Sequence, residues 1–169
     1  HPDFIYGFTK IFTYKGFDLN IFFQGSQGND VFNGSRLFLE SLQGGDNQLA
    51  VINDRWQQPG DITNIPAATN DPELAASNVR VSSRFIEDGS YLRLKNLTLG
   101  YTFHMGERIK QSISGFRIYF TGQNLFTLTK YSGLDPEVNY IGNDNAVIGT
   151  DFFTFPQARI YSFGLNLTF

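Results

Sequence analysis

Catalysis usually needs histidine, cysteine or well-spaced carboxylates, and this sequence offers few of them. His1 and His104 are its only histidines, and it has no cysteine. A Ser-His-Asp relay would have to use one of those two, and neither lies in a motif that presents a nucleophile. A Cys–His pair, a disulfide framework and a thiolate metal site are excluded. The carboxylate pairs Glu87-Asp88 and Asp135/Glu137 are too close along the chain to flank a glycosidic bond and read as turn and loop ion pairs. The stretch "GNDNAVIGTD" offers Asp144, Asn145 and Asp151 as oxygen ligands for calcium. Its spacing is not that of an EF-hand, and Asn, Asp and Gly are ordinary turn residues. The expectation is no enzyme, no cofactor and no resident metal.

The elements that hold these residues are rich in aromatics. The 169 residues include 18 Phe, 8 Tyr and 17 Gly, with a formal net charge of −3 that gives no basis for binding nucleic acid. The absence of cysteine suits an oxidising bacterial envelope. The chain opens His1-Pro2 without an initiator Met or a signal peptide, which reads as a processed or fragmentary chain. No run approaches the ~20 apolar residues of a transmembrane helix. A mean hydropathy of −0.22 does not exclude a membrane strand, whose two faces average out.

Five stretches alternate with period two. In "FIYGFTKIFTY" (4–14) Phe4, Tyr6, Phe8, Phe12 and Tyr14 share one parity. Lys15-Gly16 then forms a tight turn into "FDLNIFFQG" (17–25), where Phe17, Leu19, Ile21 and Phe23 oppose Asp18, Asn20 and Gln24. A two-residue turn pairs Tyr14 with Phe17 and Phe12 with Leu19, so the greasy sides coincide, with Lys10 placed among them opposite Ile21. In "YLRLKNLTLGYTF" (91–103) the apolar parity shifts near Lys95-Asn96, the mark of a β-bulge. "GFRIYFTGQNLFTL" (115–128) and "ARIYSFGLNLTF" (158–169) complete the set. Between them lie long polar stretches at 26–90 and 129–157. Within the first, "SRLFLESL" and "NQLAVINDRW" are compatible with short helical turns, and "QQPGD" and "NIPAATNDPE" read as turns.

Long and short connections therefore alternate, which puts all long loops at one end of an antiparallel up-and-down sheet. That is the layout of an outer-membrane barrel. The strands reach the ~9–11 residues that a tilted membrane strand needs. Aromatics flank the turns, as in interfacial girdles. Asp18, Asn20, Gln24, Arg117, Gln123 and Asn166 would be costly in a sandwich core, at ~1–3 kcal/mol for each unpaired group, but face water in a wide barrel. Five strands cannot close such a barrel, so the piece belongs to something larger. The same alternation also builds secreted β-sandwiches, and a carbohydrate-binding module of that kind is the alternative.

"YKGFDLNIFFQGSQGNDVFN", "SRFIEDGSYLRLKNLTLGYTF", "RIYFTGQNLFTLTKYSGLDPEVN" and "FPQARIYSFGLNLTF", in that order, resemble the C-terminal end of the SusC/RagA family of TonB-dependent outer-membrane transporters from Bacteroidetes. The resemblance implies an all-β fold in which this chain supplies the last five antiparallel strands of a 22-stranded barrel. It also implies an N-terminal plug and a TonB-contacting part outside this chain, a SusD-like surface lipoprotein as partner, and import of an oligosaccharide or peptide. Residues 26–90 and 129–157 would be extracellular loops, and the turns at 15–16 and 104–114 periplasmic.

Site expectations follow from that resemblance. Tyr161, Phe163, Leu165, Leu167 and Phe169 resemble the terminal signal that the barrel-assembly machinery reads by strand addition. Phe22, Gln24, Tyr119 and Gln123 fall on the lumen side, where they either contact substrate or form a plain wetted wall. Trp56, the single tryptophan, is a loop residue that either anchors the loop or meets partner or substrate. "GLDPEVN" is a structural turn at the base of a loop, with Pro136 fixing φ.

Overall fold

A computed structural model of the chain describes residues 1–106, 113–142 and 147–169. Among these residues the strands are β1 (Phe4–Tyr14), β2 (Phe17–Gln27), β3 (Asp30–Asn33), β4 (Ile86–Asp88), β5 (Tyr91–Phe103), β6 (Gly115–Thr129), β7 (Thr150–Asp151) and β8 (Ile160–Thr168). Two short helices, α1 (Ser35–Leu39) and α2 (Pro72–Asn78), lie in the first long connection. The residues sort into two compact units, one built on the large sheet and one from the two long connections.

The sheet unit comprises Pro2–Gly28, Ser90–Lys130 and Pro156–Phe169. Its strands run in the order β1-β2-β5-β6-β8, and every neighbouring pair is antiparallel. Lys15 and Gly16 have φ of 46° and 88°, the paired positive values of a type I′ hairpin turn. That turn sets Tyr14 opposite Phe17, Phe12 opposite Leu19 and Lys10 opposite Ile21. Strand β2 runs two residues past the expected 25, to Gln27, and β8 starts at Ile160 rather than 158. The strand ends at Ser26, Tyr91 and Thr129 are register neighbours, so both long connections leave from one end of the sheet.

The expected bulge lies at Lys95 and is larger than the parity shift suggests. One step along β2, Phe22 to Phe23, faces two steps along β5, Asn96 to Leu94. Those two face three along β6, Gln123 to Phe126. Asn124 absorbs the second extra residue with φ of 51°, a value that Asn tolerates better than most residues, and its side-chain amide donates to the Ala158 carbonyl at 3.0 Å. Across the bulge the register keeps one face of the sheet mainly apolar, although the apolar residues of β5 change parity there.

The second unit comprises His1, Asn29–Gly89 and Tyr131–Phe155. The two long stretches expected to be separate loops therefore fold together. Strand β3 pairs antiparallel with β4 and parallel with β7, giving a small sheet in the order β4-β3-β7. Val31, Tyr131 and Val138 form its buried cluster. The stretch "NIPAATNDPE" is not only turn. Asp71 caps α2 by accepting from the backbone N–H groups of Glu73 and Leu74, and Pro72 occupies the first turn, where its missing N–H costs nothing. The stretches "SRLFLESL" and "NQLAVINDRW" hold α1 and a 3-10 turn at Ala50–Asp54. The middle of the 104–114 connection and the pair Asp144 and Asn145 lie outside the described residues.

Candidate functional site

Register divides the sheet into two chemically different faces. On one, Phe8, Phe12, Phe17, Leu19, Leu99, Tyr101, Ile118, Phe120, Phe163 and Leu165 follow each other across all five strands. This face is uncovered. Phe163 is 83% exposed, Leu165 63% and Phe169 86%. Tyr161 and Leu167 also lie on it, so the terminal-strand residues share one side, with Phe169 one residue past β8. Neighbouring rings touch across strands, as in Phe103 stacked on Phe116 at 4.8 Å and Phe120 beside Phe163 at 5.1 Å. Lys10 sits among them with its ammonium 5.3 Å from the centre of the Phe12 ring.

The opposite face is polar and organised around glycines. Asp18 on β2 and Arg117 on β6 reach over β5 to form a two-pronged pair, with Nε to Oδ1 at 3.0 Å and Nη2 to Oδ2 at 2.6 Å. Gly100 lies beneath them, and a Cβ there would collide with both side chains. Arg117 also lies over the Tyr119 ring at 5.0 Å, and that ring in turn covers Gly164 of β8. Phe22 covers Gly7 of β1 in the same way. Asp18, Arg117 and Tyr119 thus tie β2, β5, β6 and β8 together near the tight-turn end. Of the four expected lumen residues, Phe22 and Gln123 flank Asn96, Gln24 pairs with Arg93, and Tyr119 with Gly100. All four share the polar face. The Asp18–Arg117 pair was not anticipated as a pair: the two lie 99 residues apart, and only the register joins them.

In the second unit, Arg36, Glu40, Arg84 and Glu87 form a connected ion cluster. Arg36 Nε meets Glu40 Oε1 at 2.6 Å, Arg84 Nη2 meets Glu40 Oε2 at 2.9 Å, and Arg36 Nη1 meets Glu87 Oε1 at 3.0 Å. Phe85 is buried with both guanidinium groups against its ring. Glu87 also accepts from the backbone N–H and the hydroxyl of Ser132, each at 2.8 Å, and from the Asn33 amide at 3.1 Å. Burial alone would raise the Glu87 carboxyl, but these donors outweigh it and hold the group below its ordinary value. Burial pushes Tyr131 upward, and its hydroxyl, donating to Asp151 Oδ2 at 2.6 Å, adds to the shift. The Glu87–Ser132 contact joins one long connection to the other, whereas Tyr131 and Asp151 both belong to the second. Glu87 and Asp135 are thereby structural: Asp135 accepts from the Glu137 backbone N–H at 2.9 Å. Asp151 accepts from Tyr131 and from the Thr154 backbone. Among the described residues no group of His, Cys, Asp and Glu could hold a metal ion. Trp56 is half-exposed in this unit, with its backbone N–H donating to the buried Ile65 at 3.0 Å.

A two-faced antiparallel sheet of long strands, with elaborated connections at one end, is shared with TonB-dependent receptors of the SusC/RagA type. Over 99% of its length the chain is homologous to proteins of that class. It is 38% identical over 172 residues to TonB-dependent receptor P3 of Formosa agariphila, and 30% identical over 168 residues to TonB-dependent receptor SusC of Bacteroides thetaiotaomicron. Among solved structures it superposes on the RagAB peptide importer in its 'open-open' and 'closed-closed' states. The TM-scores are 0.78 and 0.77 at 28% identity, covering all of this chain and 17% of that one. No family model matches the sequence. The chain spans about one sixth of the length of the curated relatives it matches. Those relatives carry the names of receptors, not of enzymes.

Proposed function

We propose that this chain supplies five strands, including the closing one, to the 22-stranded wall of an outer-membrane importer. The apolar face meets lipid and the polar face borders the aqueous lumen. Residues 26–90 and 129–157 fold outside the cell, and the tight turn at Lys15-Gly16 faces the periplasm. The intact protein takes up oligosaccharides or peptides with a SusD-like lipoprotein, driven by TonB acting through the plug. Strand β8, with Tyr161, Phe163, Leu165, Leu167 and Phe169, is the segment the assembly machinery reads, and it pairs onward to close the wall. The observation that carries this reading is the apolar surface that crosses all five strands, interrupted by a charge only at Lys10, backed by an ion pair and amides on the reverse. A β-sandwich would bury the Phe163/Leu165 side under a second sheet, and its exposure supports the barrel instead.

The test is Leu165→Arg in the intact receptor. On a lipid-facing strand near the midplane the charge costs ~2–4 kcal/mol, and the variant should be depleted from the outer-membrane fraction. Asn166→Arg, one residue on and facing water, should assemble normally. Equal recovery of both variants, or a wild-type protein found in a soluble fraction, overturns the reading.

A further inference from the structure

Lys10 is a charge on the apolar face, and neither the wall nor its closure gives it a task. Its ammonium lies 5.3 Å from the centre of the Phe12 ring, and that of Lys15 lies 5.2 Å from the centre of the Tyr14 ring. Phe12 and Tyr14 are neighbours on one side of β1, so the two cations flank a short aromatic ladder beside the tight turn. Residues 4–17 contain no Asp or Glu. The acids on either side lie elsewhere. Asp3 is beside Gly28 at the other end of β1, and Asp18 is on the polar face with both oxygens taken by Arg117. Among the described residues neither ammonium meets a carboxylate. The hairpin therefore carries two positive charges that its own sequence leaves uncompensated.

The rings around the turn fix its depth. Phe17 packs on Tyr101 at 4.5 Å, Tyr101 on Phe103 at 4.8 Å and Phe103 on Phe116 at 4.8 Å, an aromatic strip across β2, β5 and β6. With the apolar face toward lipid, such a strip lies at the headgroup level of the nearer leaflet. Lys15 stands at that level. Lys10 is four residues further in than Tyr14, about 10 Å in depth for a strand rising ~3.4 Å per residue and tilted ~40°. Its lean onto Phe12 carries the ammonium back toward the turn. We propose that Lys10 and Lys15 form a binding site for the phosphate of an anionic phospholipid in the periplasmic leaflet, an inference that rests on the apolar face meeting lipid. An ammonium is a compact point charge suited to phosphate. Against a ring it is partly stripped of water, which strengthens its attraction to an anion. The occupant is a lipid rather than free phosphate because an apolar groove of about 650 Å³ runs beside the site on the same face. Phe17, Leu99, Tyr101, Ile118 and Phe163 line it, and it takes an acyl chain.

The experiment uses the intact receptor, purified in detergent and offered mixed micelles of phosphatidylglycerol or phosphatidylcholine. Native mass spectrometry reads the phospholipid retained. Phosphatidylglycerol should be retained over phosphatidylcholine. Lys10→Gln and Lys15→Gln should each weaken that retention about fivefold, the share of one basic side chain at an anionic surface. Lys10→Arg, which keeps the charge, should keep the retention. Lys130→Gln removes the same charge one residue past β6, at the other end of the sheet, and should leave retention unchanged. Circular dichroism checks the fold of each variant, and Lys15→Gln carries the test if Lys10→Gln misfolds. Retention unchanged by both glutamine variants, equal loss in Lys130→Gln, or displacement of the lipid by inorganic phosphate each overturns the proposal. So does a loss of thermal stability in Lys10→Gln that is the same in both lipids, which would give Lys10 an acidic partner on the strand added to β1 instead. Membrane fractionation of wild-type cells is read separately. If the receptor is in the outer membrane while the lipid assay fails, only the lipid site is wrong; if it is in a soluble fraction, the wall reading fails whatever the lysines bind.

Discussion

At the residue scale, the polar face depends on what is missing at Gly100. Valine is ordinarily favoured over glycine in a strand, so a neutral site would gain from Gly100→Val. Here the Asp18 carboxylate and the Arg117 guanidinium lie directly over the position. The expected outcome is a loss of ~1–3 kcal/mol in the unfolding of the intact receptor, read by denaturant titration in detergent. In an Asp18→Ala/Arg117→Ala background the same substitution should become neutral or stabilising, because the obstruction has gone. A loss of equal size in both backgrounds would mean that the pair does not occupy the space above the glycine. The shared face of Phe22, Gln24, Tyr119 and Gln123 was legible from parity alone. The ion pair was not, because a partner 99 residues away is chosen by register. Nor does parity reveal that Tyr119 and Phe22 lie over Gly164 and Gly7, which makes them cross-strand covers of those glycines.

At the element scale, the hairpin was readable to the residue because Lys15-Gly16 dictates its own turn type and the type dictates the register. The bulge at Lys95 was readable as a parity shift, whereas its continuation at Asn124 was not, since β6 gains two residues relative to β2 and so returns Phe126 and Leu128 to the parity of Phe116, Ile118 and Phe120. The union of the two long connections left no periodic trace. It rests on strands β3, β4 and β7, four residues or fewer in length, and on side-chain contacts such as Glu87 with Ser132. That contact has a pH signature. The folded-state pKa of Glu87 is depressed, so its contribution is complete above the ordinary glutamate value of 4.5 and disappears as pH falls through the lower folded value. Protection at residues 131–138 of the intact receptor, taken relative to the intrinsic exchange rate at each pH, should therefore fall on acidification through and below that window. Glu87→Gln should show weakened protection at neutral pH, by ~1–3 kcal/mol, and a flatter acid response. Protection that falls with pH equally in both proteins would assign the effect to another carboxylate.

At the scale of the whole molecule, the sheet has two open edges, β1 and β8, and one face too apolar for water. Every residue of β1 is exposed, and β8 is nearly as bare. In hydrocarbon, each unpaired backbone N–H and C=O along such an edge costs several kcal/mol, which is why membrane sheets close. In water, the same edges pair with other chains, and the apolar face collapses onto itself. Neither solvent suits the sheet alone, and among the described residues the loop unit buries only Val31, Ile65, Phe85, Tyr131 and Val138 as apolar side chains of its own. The chain produced by itself should therefore sediment as aggregates without detergent and remain polydisperse in it. The same chain, supplied together with the remaining strands of the receptor, should enter a heat-stable outer-membrane complex, because strand addition at β1 and β8 removes both edges at once. Analytical ultracentrifugation of the isolated chain decides the matter. A monodisperse monomer in plain buffer would require the Phe163/Leu165 surface to be covered from within, and a sheet covered in that way would belong to a soluble β-sandwich instead of a membrane wall.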